Sequence, residues 1–224
     1  GWDWIPSVRD RNTGLWQGVT LAATGPAVIG DPQVVTTLPK PDNSVADVEI
    51  AVPVTNNGQA PVTTTVRAVF DDVVVEKPVT VAPGQTIRAV LSPSEFPQLS
   101  VKNPRLWWPN GYGDPALHDL ALTAAVDGAL SDSKALRFGM RQVTYDLSLF
   151  DDDGDLERVT LDLNRVRGGP KVVDTSHKGI RKTANGWAMS FTPGGDQSAA
   201  VAKLTDDPRL APYLVLRVNG VRIA

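Results

Sequence analysis

The sequence predicts an all-β protein: an immunoglobulin-like β-sandwich followed by a strand- and loop-rich C-terminal extension. Three observations carry this expectation. Val, Thr and Ile supply 53 of the 224 residues, and side chains branched at Cβ suit a pleated sheet better than a helix. Gly and Pro number 19 and 18, above the usual share, which favours many turns over long helices. From about Ala27 onward, short alternating apolar runs recur between turn signals, at the spacing of about 8–12 residues expected of a two-sheet Greek key.

The elements follow in order. Val34 to Leu38 is the first strand, ended by Pro39-Lys40-Pro41-Asp42-Asn43. Val48, Ile50, Val52 and Val54 then alternate with Glu49, Ala51, Pro53 and Thr55. Pro53 lacks a backbone donor and so predicts an edge or a bulge. After the Asn56-Asn57-Gly58 turn come Val62, Thr64, Val66, Ala68 and Phe70, then Val73 to Val75, Val79 to Val81, the Pro83-Gly84 turn, and Ile87, Ala89 and Leu91. A proline-rich loop leads to Leu120, Leu122, Ala124 and Val126, the Asp127-Gly128 turn, and one strand from Leu136 to Tyr145. That makes about seven strands, the immunoglobulin-like count.

Beyond them, Leu147 to Phe150 and Val159 to Leu163 flank Asp151-Asp152-Asp153-Gly154-Asp155. A calcium loop of the EF-hand type needs Gly at its sixth position and Glu at its twelfth, so the run reads as a solvated hairpin turn. Residues 164–212 are turn-rich, with strands at Val172-Val173 and Trp187 to Phe191 and a helical turn or two over Gln197 to Leu204. At the end, Tyr213 to Val218, Asn219-Gly220 and Val221 to Ala224 form a hairpin signature, because Asn-Gly accepts the positive φ of a type I′ turn. Two Trp in the opening tetrapeptide and a closing strand of four residues predict a piece excised from a longer polypeptide.

Composition excludes several functions. Charged residues at 21% and hydrophobic at 42% describe an ordinary globular surface and core, and no apolar run approaches the roughly 20 residues of a membrane helix. Twenty-two basic against 25 acidic residues are too balanced to predict nucleic acid or an anionic membrane as the main partner. There is no Cys, hence neither a disulfide framework nor a thiolate metal site, and the redox compartment stays open. His118 and His177 are too isolated for a metal site and read as structural or surface residues. No phosphate-binding loop, dinucleotide fingerprint or nucleophile elbow occurs, which predicts no cofactor and no self-contained active site. Arg165, Arg167, Lys171, Lys178, Arg181 and Lys182 against Asp174 alone read as a solvated loop or a contact to an acidic neighbouring domain.

The tryptophans are the better lead. Trp107 and Trp108 are adjacent, and Pro109 pushes Trp108 toward an extended conformation, so the two indoles are expected on opposite sides, one filling the sandwich core. The other then seeks a second partner, a neighbouring domain or a sugar ring. Trp107 and Trp108 are therefore the candidate interdomain interface.

Several segments together resemble glycoside hydrolase family two, the multidomain exo-glycosidases that include β-galactosidases, β-mannosidases, β-glucuronidases and exo-β-glucosaminidases. Gly1-Trp2-Asp3-Trp4-Ile5-Pro6 with Asp10-Arg11-Asn12-Thr13-Gly14-Leu15-Trp16-Gln17-Gly18-Val19 looks like the end of the family's jelly-roll domain. Asn103-Pro104-Arg105-Leu106-Trp107-Trp108-Pro109-Asn110-Gly111-Tyr112-Gly113, then Pro115-Ala116-Leu117-His118-Asp119-Leu120, resembles the late part of its immunoglobulin-like domain. Arg137-Phe138-Gly139-Met140-Arg141 is similar to the strand closing that domain, and Leu216-Arg217-Val218-Asn219-Gly220-Val221-Arg222-Ile223 to the hairpin leading into a TIM barrel.

The resemblance implies residues 1–23 as the end of the jelly roll, 24–148 as the immunoglobulin-like domain, 149–212 as an irregular extension and 213–224 as the lead-in to a barrel. It implies a non-catalytic segment of a retaining exo-β-glycosidase, with the barrel and jelly roll as partners and a β-linked sugar as ligand. The two glutamates of such a reaction belong on barrel strands and match nothing here. In relatives with a Trp-Asp-Trp-x-Pro segment that loop reaches the barrel mouth, so Trp2, Asp3 and Trp4 are the implied substrate-binding residues, with Asp3 accepting sugar hydroxyls. The motifs lean toward the glucosaminidase and mannosidase side of the family. Secretion fits an enzyme that trims polymers. A free-standing carbohydrate-binding or adhesion module with Trp107, Trp108 or Trp187 as platform is the alternative.

Overall fold

The computed structural model describes residues 15, 18, 19, 21–150, 156–162, 179–183, 186–190 and 214–223. The strands in chain order are Ala27–Ile29 (β1), Gln33–Thr37 (β2), Val45–Asn56 (β3), Val62–Phe70 (β4), Val73–Val81 (β5), Thr86–Leu91 (β6), Ser100–Lys102 (β7), His118–Val126 (β8), Ala129–Phe138 (β9), Val143–Phe150 (β10), Leu156–Asp162 (β11), Gly179–Thr183 (β12), Gly186–Ser190 (β13), Leu214–Val218 (β14) and Val221–Arg222 (β15).

Two antiparallel sheets make a sandwich. In one, β3 is central, flanked on one side by β1 and then β2 and on the other by β6 and then β7. The other runs β5-β4-β8-β9. Alternation sends one face of each strand inward. Val48, Ile50, Val52 and Val54 of β3 meet Val66, Ala68 and Phe70 of β4 and Leu120, Leu122 and Ala124 of β8 in one core. Phe70 and Phe138 pack edge to face at 5.3 Å, the geometry the ring quadrupoles favour.

Pro53 lies in the central strand, contrary to the expectation of an edge. Its carbonyl accepts from Gly30 N–H at 2.8 Å, so the side of Pro53 that lacks a donor faces the interruption between β1 and β2. The runs at Val73 and Val79 are one strand, β5, whose internal Pro78 is tolerated because β5 is an edge. The expected strand from Leu136 to Tyr145 divides. β9 ends at Phe138, Met140 bridges Leu106, and β10 starts at Val143 in a different sheet. Periodicity cannot show such a break, because both pieces alternate in the same way. The short strands β7 and β12 also went unanticipated.

The third sheet runs β11-β10-β14-β15, and β12 pairs with β13. The expected Asn219-Gly220 and Asp127-Gly128 turns are present, with φ of 51° and 81° and of 50° and 78°. Trp187 falls on β13, opposite Lys182. The acidic run 151–155, Val172-Val173, His177 and Gln197 to Leu204 lie outside the described residues.

The edge formed by β1 and β2 lies parallel beside β9, tied by side chains. Ser131 Oγ accepts from Ala27 N–H at 2.9 Å and donates to the Ala27 carbonyl at 2.8 Å, and Asp132 accepts from Ile29 N–H at 2.7 Å. Lys134 donates to the Gly30 carbonyl at 3.0 Å and to Asp31 at 2.7 Å. Farther along, Gln142 Oε1 accepts from Leu38 N–H at 2.9 Å.

Leu122 is fully buried whereas Leu130 is 66% exposed. Leu122→Ala is expected to cost about 2–5 kcal/mol in urea unfolding, and Leu130→Ala within about 0.5 kcal/mol. The hydrogen bond and then the charge of Lys134 hold the Asp31 carboxyl below its ordinary 3.8. A lowered folded-state pKa stabilises the fold above the unfolded value, and that contribution is lost as pH falls through the lowered one. Lys134→Met should therefore flatten the stability curve below 3.8, measured by unfolding across about pH 2–6.

Candidate functional site

The site is built on the loop between β7 and β8 and on the chain that leaves β9. His118 anchors the loop. It is 2% exposed, and its Nε2–H donates to the Arg105 carbonyl at 2.9 Å. Nδ1 lies 2.6 Å from the Asp71 carboxylate, which a positive φ of 47° aims from the β4–β5 turn. Both ring nitrogens are engaged, which matches the structural role expected of this histidine. Among the described residues no group of three His, Cys, Asp or Glu could hold a metal.

From that anchor Leu106 bridges Met140, Trp107 N–H donates to the Met140 carbonyl at 2.9 Å and Trp108 N–H to the Asp114 carbonyl at 3.0 Å. A turn closed by Tyr112 N–H on the Pro109 carbonyl, with Gly111 at φ 85°, reverses the chain. The indoles have different neighbours, but neither fills the core as expected. Both are partly buried, and the core cluster contains Leu99, Phe138 and Met140 with Leu106 packed against it, and neither indole. Two backbone sites are kept bare for them. A Cβ at Gly139 would stand 2.7 Å from Trp107 Cβ, and one at Gly113 would stand 2.9 Å from Trp108 Cγ. The Arg141 guanidinium lies over the Trp107 ring, 4.3 Å from its centre, a cation–π contact.

Asn219 ties the closing hairpin to this loop, a role its turn signature did not announce. It is 2% exposed. Its Nδ2 donates to the Trp107 carbonyl at 3.0 Å and its Oδ1 accepts from Gln142 N–H at 3.0 Å, while its N–H donates to the Gln142 carbonyl at 2.8 Å. Asn43 Nδ2 donates to its carbonyl at 3.1 Å. The Gln142 side chain in turn joins Leu38 to Asp162 of β11. Asn-Gly spacing announced the positive φ, but nothing local could announce partners so far away in sequence.

Between the Lys134 and Gln142 ties the seam opens into a groove of about 540 Å³, lined by Val34, Val35, Thr36, Trp107, Leu117, Arg137, Phe138, Gly139, Arg141 and Val143. Among the described residues the lining carries no carboxylate, imidazole or thiol, and it offers apolar contact, hydrogen bonds and positive charge. Trp2, Asp3 and Trp4 lie outside the described residues.

The described residues form a β-sandwich with a cationic groove at its seam. Comparison with known proteins places it further. The profile of glycosyl hydrolases family 2 matches residues 27–141, and the chain belongs to that family. It is 32% identical over 149 residues to an exo-β-D-glucosaminidase of Streptomyces avermitilis, covering 66% of this chain and 16% of the relative. It is 31% identical over 159 residues to a mannosylglycoprotein endo-β-mannosidase of Lilium longiflorum, covering 64% and 16%. The crystal structure of the exo-chitosanase CsxA of Amycolatopsis orientalis aligns with a TM-score of 0.46 at 22% identity, over 81% of this chain and 19% of that one.

Asn219→Gly keeps the turn conformation but strands the Trp107 carbonyl and Gln142 N–H. It is expected to cost about 1–3 kcal/mol in urea unfolding and to speed amide exchange in β14 before the core. Gly139→Ala should destabilise through the Trp107 overlap by about 1–3 kcal/mol, read as a lower midpoint with an unchanged denaturant slope.

Proposed function

We propose that this chain is the non-catalytic β-sandwich segment of a multidomain retaining exo-β-glycosidase, carrying the catalytic barrel and forming one wall of its sugar pocket. The observation that carries this reading is the family match over 27–141 in a chain that spans only 16% of the length of its glycosidase relatives. The organisation that follows is the end of a jelly roll at 1–23, the sandwich at 24–148, an extension at 149–212 and the lead-in to the barrel at 213–224. Trp2, Asp3 and Trp4 then face the terminal sugar. A carboxylate accepting two hydroxyls is worth about 1.5–3 kcal/mol in charged hydrogen bonds.

Hydrolysis in this scheme belongs to two barrel carboxylates about 5–5.5 Å apart, one protonating the leaving oxygen and one attacking the anomeric carbon. The sandwich supplies no reacting group. Its work is to hold the barrel, with Trp107 and Trp108 at the interface and Asn219 fixing the direction in which the chain leaves. The rival binding-module reading is weakened by Arg141, which occupies a face of Trp107 on which a sugar ring would lie.

The test uses an aryl β-D-glucosaminide. The 224-residue chain should release no aryl alcohol, and a longer polypeptide that continues into a barrel should do so. Within that polypeptide Asp3→Ala is expected to lower kcat/KM by roughly 10- to 150-fold, the equivalent of about 1.5–3 kcal/mol. Turnover by the 224-residue chain that copurifies with it would sink the proposal.

A further inference from the structure

We propose that the seam groove between β2 and the chain leaving β9 is a docking site for an acidic loop of a neighbouring domain, whose carboxylate sits between the Arg137 and Arg141 guanidinium groups. The inference rests on the reading of this chain as one part of a multidomain glycosidase and names the partner's chemistry at the sandwich surface.

The first support is charge. Both guanidinium groups line the groove, and neither makes an ion pair with a carboxylate among the described residues, although Asp119 stands opposite Arg137 in the β8–β9 register. Among the described residues no acidic one lines the groove. Guanidinium groups present planar forks of donors suited to a carboxylate.

Thr36 gives independent support. It lines the groove and is 4% exposed, and its hydroxyl makes no hydrogen bond among the described residues. A buried hydroxyl without a partner costs free energy, so the site is short of one polar atom that a docked loop can bring.

The strand edge adds backbone specificity. Along this edge side chains take up the amides on either side of the groove: Ser131 that of Ala27, Asp132 that of Ile29 and Gln142 that of Leu38. By the two-residue period of a strand, Val34 and Thr36 turn the same face of their backbone outward as Leu38 does. There the capping stops. An extended segment can add to such an edge. Apolar purchase comes from Leu117, which is 42% exposed, and from Val34 beside the Trp107 indole.

The occupant follows from scale. A groove of about 540 Å³ holds a short loop, and two charges with a brief edge bind a free ligand weakly. A loop tethered within the same polypeptide acts at an effective concentration of roughly millimolar, and such contacts then suffice. The 16% coverage of the relatives leaves most of the polypeptide to provide that loop.

Hydrogen–deuterium exchange tests the proposal. Amide exchange at residues 34–36 and 137–141 is compared between the 224-residue chain and the longer polypeptide, with the Pro83-Gly84 turn as reference. The expected result is exchange at least about tenfold slower at the groove in the longer polypeptide, with the reference unchanged. Arg137→Gln with Arg141→Gln should remove that protection, and so should high salt in part. Arg137→Gln alone leaves the Arg141–Trp107 contact intact and should remove part of it, and melting curves verify folding.

Equal exchange in the two proteins overturns the proposal, as does protection that survives the double substitution. Protection of the 224-residue chain that appears with rising protein concentration marks a second copy, and protection on adding glucuronate marks a free sugar acid. Either result also overturns it. Hydrolysis is scored separately: an active longer polypeptide with an unprotected groove refutes the docking alone, and a protected groove without activity refutes the glycosidase reading alone.

Discussion

The side-chain hydrogen bonds that stitch β1 and β2 to β9 and its continuation decide where everything else in this protein sits. They run at sequence separations of 103 or 104, so the two edges lie parallel and in register from Ala27 to Leu38. A sandwich must close its seam or leave amides exposed. Here it is closed by Ser131, Asp132, Lys134 and Gln142, so the two edges stay a side chain's length apart. That spacing leaves room for the groove and delivers Gln142 to the point where the closing hairpin lands.

The tryptophan loop depends on the same stitching. Gly139 and Gly113 are bare where the indoles rest, and the Trp107 carbonyl and amide are both used, one by Asn219 and the other by Met140. The result is a rigid junction of four segments distant in sequence, centred on residues 43, 107, 142 and 219. Rigidity is useful in a module whose proposed work is to hold another domain in place, since misplacement far from the chemistry still lowers rate. The cationic groove lies beside this junction and shares Trp107 with it.

Much of the sandwich was legible because strands report their buried face every second residue. β3, β4, β6 and β8 stand where alternation put them, and the Asn-Gly and Asp-Gly turns stand where positive φ was required. The misses have physical causes. Pro53 predicts an edge or a bulge because a missing donor is usually tolerated there, whereas here it lies in the central strand and faces a gap in the neighbouring edge. The break after Phe138 was invisible because β9 and β10 alternate alike. Neither indole joined the core cluster, which holds Phe138 and Met140 with Leu106 against it.

The sequence alone determined the strand-rich class, the pace of the strands, the turn positions and the family, since each is written in local pattern or in motif order. Only the tertiary structure decided that Asn219 ties to Trp107, that Gln142 bridges two sheets, and that Arg137 and Arg141 share a groove with a buried Thr36. Those pairings join residues up to 112 positions apart. Local pattern reports which face of a strand is buried. Which distant strand lies beside it depends on how two sheets close over one core.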